Sequence, residues 1–221
     1  MVDWVKSSTF ACIKSRTMAE DIIIEDELFA DEPEQVGIVA EAPSRDIAEQ
    51  LADLHTLKGA GFISMLKEIT QQRAFTPLEG ESNIYIIDGM QGDDYDNLLN
   101  AARKAVEHGY RVFILPNPKG IRTADFIFER KGVYRLYDLK TIQGKASVEN
   151  RLKESIGQSN RILLNMAVDY NPRHLAMAIK RYFEQNQSAL EVLFFKGNKI
   201  ISIIREDTET YVFIRNFMMK Y

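Results

Sequence analysis

The sequence predicts an α/β (α+β) chain, a mixed β-sheet flanked by helices. Three observations carry this. Short β-rich runs recur between helical stretches, as at Tyr110–Leu115, Glu191–Phe195 and Lys199–Ile204. Apolar residues at i, i+4, i+7 spacing mark helices between them. The interior strands are apolar enough to be covered on both faces, which places helices on both sides of the sheet.

The 221 residues suffice for a sizeable core, and at 45% hydrophobic and 27% charged the composition is that of a water-soluble globular chain. The single cysteine, Cys12, excludes an intrachain disulfide and a cysteine-based zinc site, and it fits a reducing compartment. No apolar run approaches the roughly 20 residues of a membrane span. The N-terminus lacks a basic segment followed by an apolar stretch, so no secretory signal is expected. The expected site of action is cytoplasmic, with delivery by a specialised route left open. A net charge of −4 hides an asymmetry. Residues 20–54 are strongly acidic. Between 111 and 161 basic residues outnumber acidic ones by about two to one, which favours a polyanionic partner for the second half.

Taken in order, residues 1–42 offer strand-like pieces (Thr9–Ile13 and Asp21–Glu25) and an acidic loop broken at Pro33. Pro43-Ser44 then supplies a stop and an N-cap for a helix with Ile47, Leu51 and Leu54 on one face. After Gly59-Ala-Gly61 a second helix buries Phe62, Met65, Leu66 and Ile69, ending at Pro77 and Gly80. Residues 84–89 read as a strand entering a turn. Gly92-Asp-Asp-Tyr-Asp-Asn opens a helix that runs to about His108, its early acids matched to the positive end of the helix dipole and Gly109 serving as the C-cap. A strand over Tyr110–Leu115 stops at Pro116 and Pro118. A hairpin follows over Thr123–Thr141 about a Lys131-Gly132 turn. Ser147 caps a helix extending to about Met166, with Arg151, Ser155 and Gln158 on its polar stripe. A helix from Pro172 to Asn186, two strands joined at Gly197-Asn198, and a last strand over Tyr211–Arg215 complete the chain. Residues 1–80 are expected to form an N-terminal α/β extension or subdomain, and residues 81–221 the functional domain. His55, His108 and His174 read as surface or dipole-pairing residues, and Trp4 as a packing residue.

The chemistry concentrates in the hairpin. Asp125 sits at the start of its first strand, and Asp138-Leu139-Lys140 ends its second. Side chains two apart on a strand share a face, so Asp138 and Lys140 project together while Leu139 points away. Cleavage of a phosphodiester requires an in-line water and neutralisation of phosphate charge. Carboxylate-held divalent ions supply both, and a neighbouring lysine can hold the water or stabilise developing charge. Asp125, Asp138 and Lys140 are those parts, with the Leu139 carbonyl as a further oxygen donor. The plain alternative is a surface pair between Asp138 and Lys140 worth about 0–1 kcal/mol.

The ordered set runs from Asp96-Asn97 through the Gly109–Pro116 strand, Thr123-Ala-Asp125, Asp138-Leu-Lys140-Thr141, Ser147 and Gln158. It resembles the PD-(D/E)xK nuclease core, with its restriction-endonuclease-like fold. Within that superfamily it most resembles the C-terminal toxin domains of CdiA-type contact-dependent growth-inhibition proteins, which are tRNases, and relatives attached to phage head proteins. The match covers about a third of the chain. It implies Mg²⁺ or Mn²⁺ held by Asp125, Asp138 and Leu139, a catalytic Lys140, and Asp96 as the assisting acid of the first core helix (Glu107 second), where such nucleases more often carry Glu. It also implies that Thr141, Ser147, Arg151 and Gln158 contact substrate. The implied partners are nucleic acid, tRNA or DNA, and a cognate immunity protein. A DNA endonuclease of the same fold and a non-catalytic nucleic-acid-binding protein both remain open on these residues.

Overall fold

The computed structural model describes residues 46–89, 94–118, 123–144, 148–157 and 159–221. They belong to one compact unit, Ala42–Tyr221. The order of elements is α1 (Ile47–Asp53), α2 (Gly59–Thr70), β1 (Phe75–Leu78), β2 (Glu81–Ile87), α3 (Tyr95–Glu107), β3 (Arg111–Ile114), β4 (Phe126–Arg130), β5 (Val133–Ile142), α4 (Val148–Glu154), β6 (Arg161–Met166), α5 (Pro172–Gln185), β7 (Glu191–Lys196), β8 (Lys199–Ile204), α6 (Arg205–Glu209) and α7 (Phe213–Lys220). The strands form one mixed eight-stranded sheet in the spatial order β1 to β8. The pairs β2–β3, β5–β6 and β6–β7 are parallel and the others antiparallel. Each parallel pair is bridged by one helix, α3, α4 or α5, as a parallel connection requires. The expected mixed sheet flanked by helices is the observed architecture.

Alternation divides the core between the two faces. Val112, Ile114, Phe126, Phe128, Tyr137 and Leu163 pack against Leu99, Ala102 and Ala105 of α3. On the opposite face, Phe113, Leu115 and Ile127 meet α1 and α2. Further along that same face, Ile142, Ile162, Leu164, Val192 and Phe194 meet α4, α5 and α7. The α1–α2 layer and the α4–α5 layer therefore share a face and divide at β5. The helices and strand that precede residue 80 pack directly on this sheet.

Five sequence expectations need correction. The helix from Ser147 to Met166 is two elements: α4 stops at Glu154, Gly157 adopts a positive φ of 86°, and Arg161–Met166 is strand β6. β6 lies between two parallel neighbours and is buried on both faces, so its apolar run has no alternation to distinguish it from a helix. Ser155, placed on the polar stripe, is buried and donates to the Leu152 carbonyl at 2.7 Å. The final strand is instead helix α7, because Phe213 and Phe217 at i, i+4 insert into the core while Tyr211 is left exposed. The stretch at Pro77 is edge strand β1, where the missing N–H of proline is tolerated. The cap of α1 is Asp46, whose carboxylate accepts the Ala48 N–H at 3.2 Å. The strand-like pieces of residues 1–42, and Ser44, Gly92, Ser147 and Gln158, lie outside the described residues. Among the described residues no helix is long and apolar enough to cross a membrane.

Candidate active site

Lys131 and Gly132 both adopt positive φ (52° and 79°), the geometry of a tight hairpin turn whose twist matches its strands. That turn sets Arg130 opposite Val133 and Phe126 opposite Tyr137. One further step places Asp125 opposite Asp138. Main-chain bonds continue past the end of β4: the Asp125 N–H donates to the Tyr137 carbonyl at 3.0 Å, and Leu115 N–H donates to the Asp125 carbonyl at 2.9 Å. The Asp125 carboxylate accepts the Leu139 N–H at 2.6 Å, which draws it toward β5.

Asp138 is almost wholly buried, at 3% exposure, and its carboxylate pairs with Lys140 Nζ at 2.7 Å. The expected same-face pair therefore exists, but it is not the exposed surface pair of the plain alternative: the two side chains are only 4% and 14% exposed. Burial raises the pKa of the Asp138 carboxyl to about 7, and the opposing Asp125 adds to the rise, while Lys140 acts against it. Asp125 is raised for the same first reason, burial, opposed by its Leu139 hydrogen bond and by Lys140. Two carboxyls brought together out of water cannot both ionise freely, and a divalent cation relieves that cost.

Asp125, Asp138, Leu139, Lys140 and Thr141 line one cavity of about 500 Å³. Asp94, Asn97 and Leu98 from the start of α3 form another wall, and Arg151 of α4 reaches the rim. Asp94 contributes to the upward shift of Asp125, so its charge is felt at the site. Asp96 is not part of this lining, and its charge acts on Arg103. Glu107 lines a separate cavity with His108 and Phe195. The acid that lines the cavity is thus Asp94, at the N-cap of α3, two positions before the residue favoured from sequence. Asn97, Asn117 and Gln143 also line the cavity; from sequence Asn97 stands only in the ordered run, with no role, and the other two are not named. The periodicity of α3 gives the signal for Asn97, which lies three positions from Asp94 and donates to its carboxylate at 3.5 Å.

The donor set fits a hard divalent cation. It offers two carboxylates facing each other, with a third acid and amide oxygens at the rim, whereas a zinc centre needs more nitrogen or sulfur ligands. Among the described residues no cluster of three or more His, Cys, Asp or Glu side chains is spaced to hold a metal. A cation here would keep several waters, as Mg²⁺ does.

No protein-family model matches this chain, and no curated protein matches it. Among solved structures, a CdiA-CT/CdiI toxin and immunity complex from Burkholderia pseudomallei is similar at 15% identity. That match covers 53% of this chain and 92% of that chain, with a TM-score of 0.35, a level that carries no argument about fold or function.

Proposed function

We propose that this chain is a metal-dependent nuclease that hydrolyses phosphodiester bonds, with RNA, and tRNA in particular, as its substrate in a toxin-like role. The observation that carries the reading is the meeting of Asp125, Asp138 and Lys140 in one cavity, with Asp138 buried and paired to Lys140. A salt bridge kept for stability alone gains little from so much desolvation, whereas an ion site needs it.

Asp125 and Asp138 would hold Mg²⁺ or Mn²⁺, with the Leu139 carbonyl as a further donor. When bound, such an ion acidifies water and neutralises phosphate charge. Lys140 Nζ holds the attacking water or meets the charge that develops on the phosphate oxygens. Arg151, Thr141, Asn97 and Asn117 at the cavity wall bind the flanking phosphates. The preference for tRNA, the cytoplasmic site of action and an immunity protein covering the basic region rest on the resemblance carried by the Thr123–Ala–Asp125 and Asp138–Leu–Lys140 motifs.

The test is incubation of the purified chain with Mg²⁺ and either total tRNA or plasmid DNA, alongside Asp138→Ala and Lys140→Ala. Cleavage of tRNA by the parent alone supports the reading. Cleavage of plasmid only makes it a DNA endonuclease. No cleavage, with no Mg²⁺ or Mn²⁺ binding, leaves a non-catalytic nucleic-acid-binding protein.

A further inference from the structure

A second cavity, of about 480 Å³, adjoins the candidate site. One wall is the α1–α2 corner, with Leu54, Leu57, Phe62 and Ile63; the other is Leu136 of β5 and Leu190 before β7. Polar groups interrupt this apolar slot at His55, Asn160 and Arg161. Arg161 is tied from behind: its Nε lies 3.3 Å from the Glu191 carboxylate, which is itself buried and accepts Tyr137 Oη at 2.9 Å and Ser202 Oγ at 2.6 Å. The Asn160 backbone is pinned as well, since its carbonyl accepts the Leu190 N–H at 2.7 Å. The Asn160 main chain is therefore held in place at the slot, while the Arg161 side chain is engaged with Glu191.

Two features of the chain join the slot to the cavity of Asp125. Thr123 lines both, and it is two residues, at most about 7 Å along the backbone, from Asp125. Leu136 and Asp138 are neighbours on the same face of β5, again about 7 Å apart. A ligand bridging both places has a phosphate at one end and a small, flat, largely apolar body with hydrogen-bonding edges at the other, within the span of one nucleotide. The slot has the volume of a small-ligand site and the mixture of ring, aliphatic and amide side chains that receives an unstacked base.

We propose that this slot is a nucleobase-binding subsite, which seats the base next to the phosphate held at Asp125 and Asp138. Phe62 and His55 supply ring surface, and the Asn160 amide, with both a donor and an acceptor, reads the edge of the base. The pairing of the two cavities rests on the nuclease reading, while occupancy of the slot by a base does not require cleavage.

Amide chemical-shift mapping of the full chain, without metal, tests the subsite against the four nucleoside 5′-monophosphates and against ribose 5-phosphate. At least one nucleotide shifts the amides of Leu54, Phe62, Ala124 and Asn160, and ribose 5-phosphate leaves them in place. Phe62→Ala weakens that nucleotide roughly tenfold, and the exposed Asn160→Ala, which leaves the core untouched, changes which of the four binds best. Shifts confined to residues 138–141, equal shifts with ribose 5-phosphate, or no shift at the slot overturn the subsite. If the slot binds a nucleotide but tRNA and plasmid both stay intact with Mg²⁺, the nuclease reading falls and the subsite stands. If cleavage occurs and the slot stays silent, the reverse holds.

Discussion

Replacing Asp138 with Asn makes the chain more stable at alkaline pH while removing its proposed activity. In the folded state the Asp138 carboxyl titrates at about 7, against an ordinary 3.8. Because the folded pKa is the higher one, the folded chain holds this proton more tightly than the unfolded chain. The stability this contributes is fully present below pH 3.8 and is lost as pH rises through 7. A gap of about three pH units at 1.36 kcal/mol each is roughly 4 kcal/mol. Asp125 opposes Asp138 and shares the proton, which reduces the amount assignable to Asp138 to roughly 2–4 kcal/mol. Asn keeps the size of Asp, still accepts from Lys140, and carries no charge to bury. Urea unfolding in EDTA at pH 5 and pH 8 measures this directly. The parent loses stability between the two values, and Asp138→Asn exceeds it at pH 8 by roughly 2 kcal/mol or more. A parent as stable at pH 8 as at pH 5, or a variant weaker than the parent at pH 8, refutes the electrostatic account.

The other expectations follow from the same geometry. Lys140→Ala lowers Mg²⁺-dependent cleavage by roughly 10²–10³-fold with the far-ultraviolet circular dichroism unchanged, since a single charge-stabilising donor is removed. Mg²⁺ at a hundred times its Kd raises the unfolding free energy by about 2.7 kcal/mol; EDTA reverses the gain, and an Asp125→Ala, Asp138→Ala double variant shows none of it. Asp94→Asn reduces cleavage more than Asp96→Asn does, because only Asp94 lines the cavity; kcat/KM for the two variants decides. Leu164→Ala, at a fully buried position of β6, costs about 2–5 kcal/mol in denaturant unfolding.

The meeting of Asp125, Asp138 and Lys140 was legible in the sequence because it is local. Lys131-Gly132 marks the turn, and counting back along both strands from a two-residue turn sets Asp125 opposite Asp138. α3 and α5 were legible for a related reason: each carries a strong apolar stripe and one clear terminal signal, Gly109 after α3 and Pro172 at the start of α5. What the sequence concealed depends on neighbours far along the chain. β6 is a strand because β5 and β7 flank it and both its faces are covered, and nothing within Arg161–Met166 announces that. α7 reads locally as a β-rich run, and the packing of Phe213 and Phe217 on the core overrides that preference. Asp94 was passed over for Asp96 because rotation about the α3 axis, which decides which acid faces the cavity, is set by Leu99, Ala102 and Ala105 against the sheet.

The order of the strands across the sheet repeats their order along the chain. Each strand therefore finds its partner in the strand next to it along the chain, and no strand has to wait for a distant segment before it can pair. Closing short loops costs little entropy and favours rapid assembly. Such a sheet can grow strand by strand as the chain becomes available. Asp125, Asp138 and Lys140 meet as soon as the β4–β5 hairpin closes, and the burial that perturbs Asp138 is completed only when β6 and the helices after it arrive. The three polar side chains thus meet early, and the raised pKa of Asp138, a product of burial, comes with the completed fold.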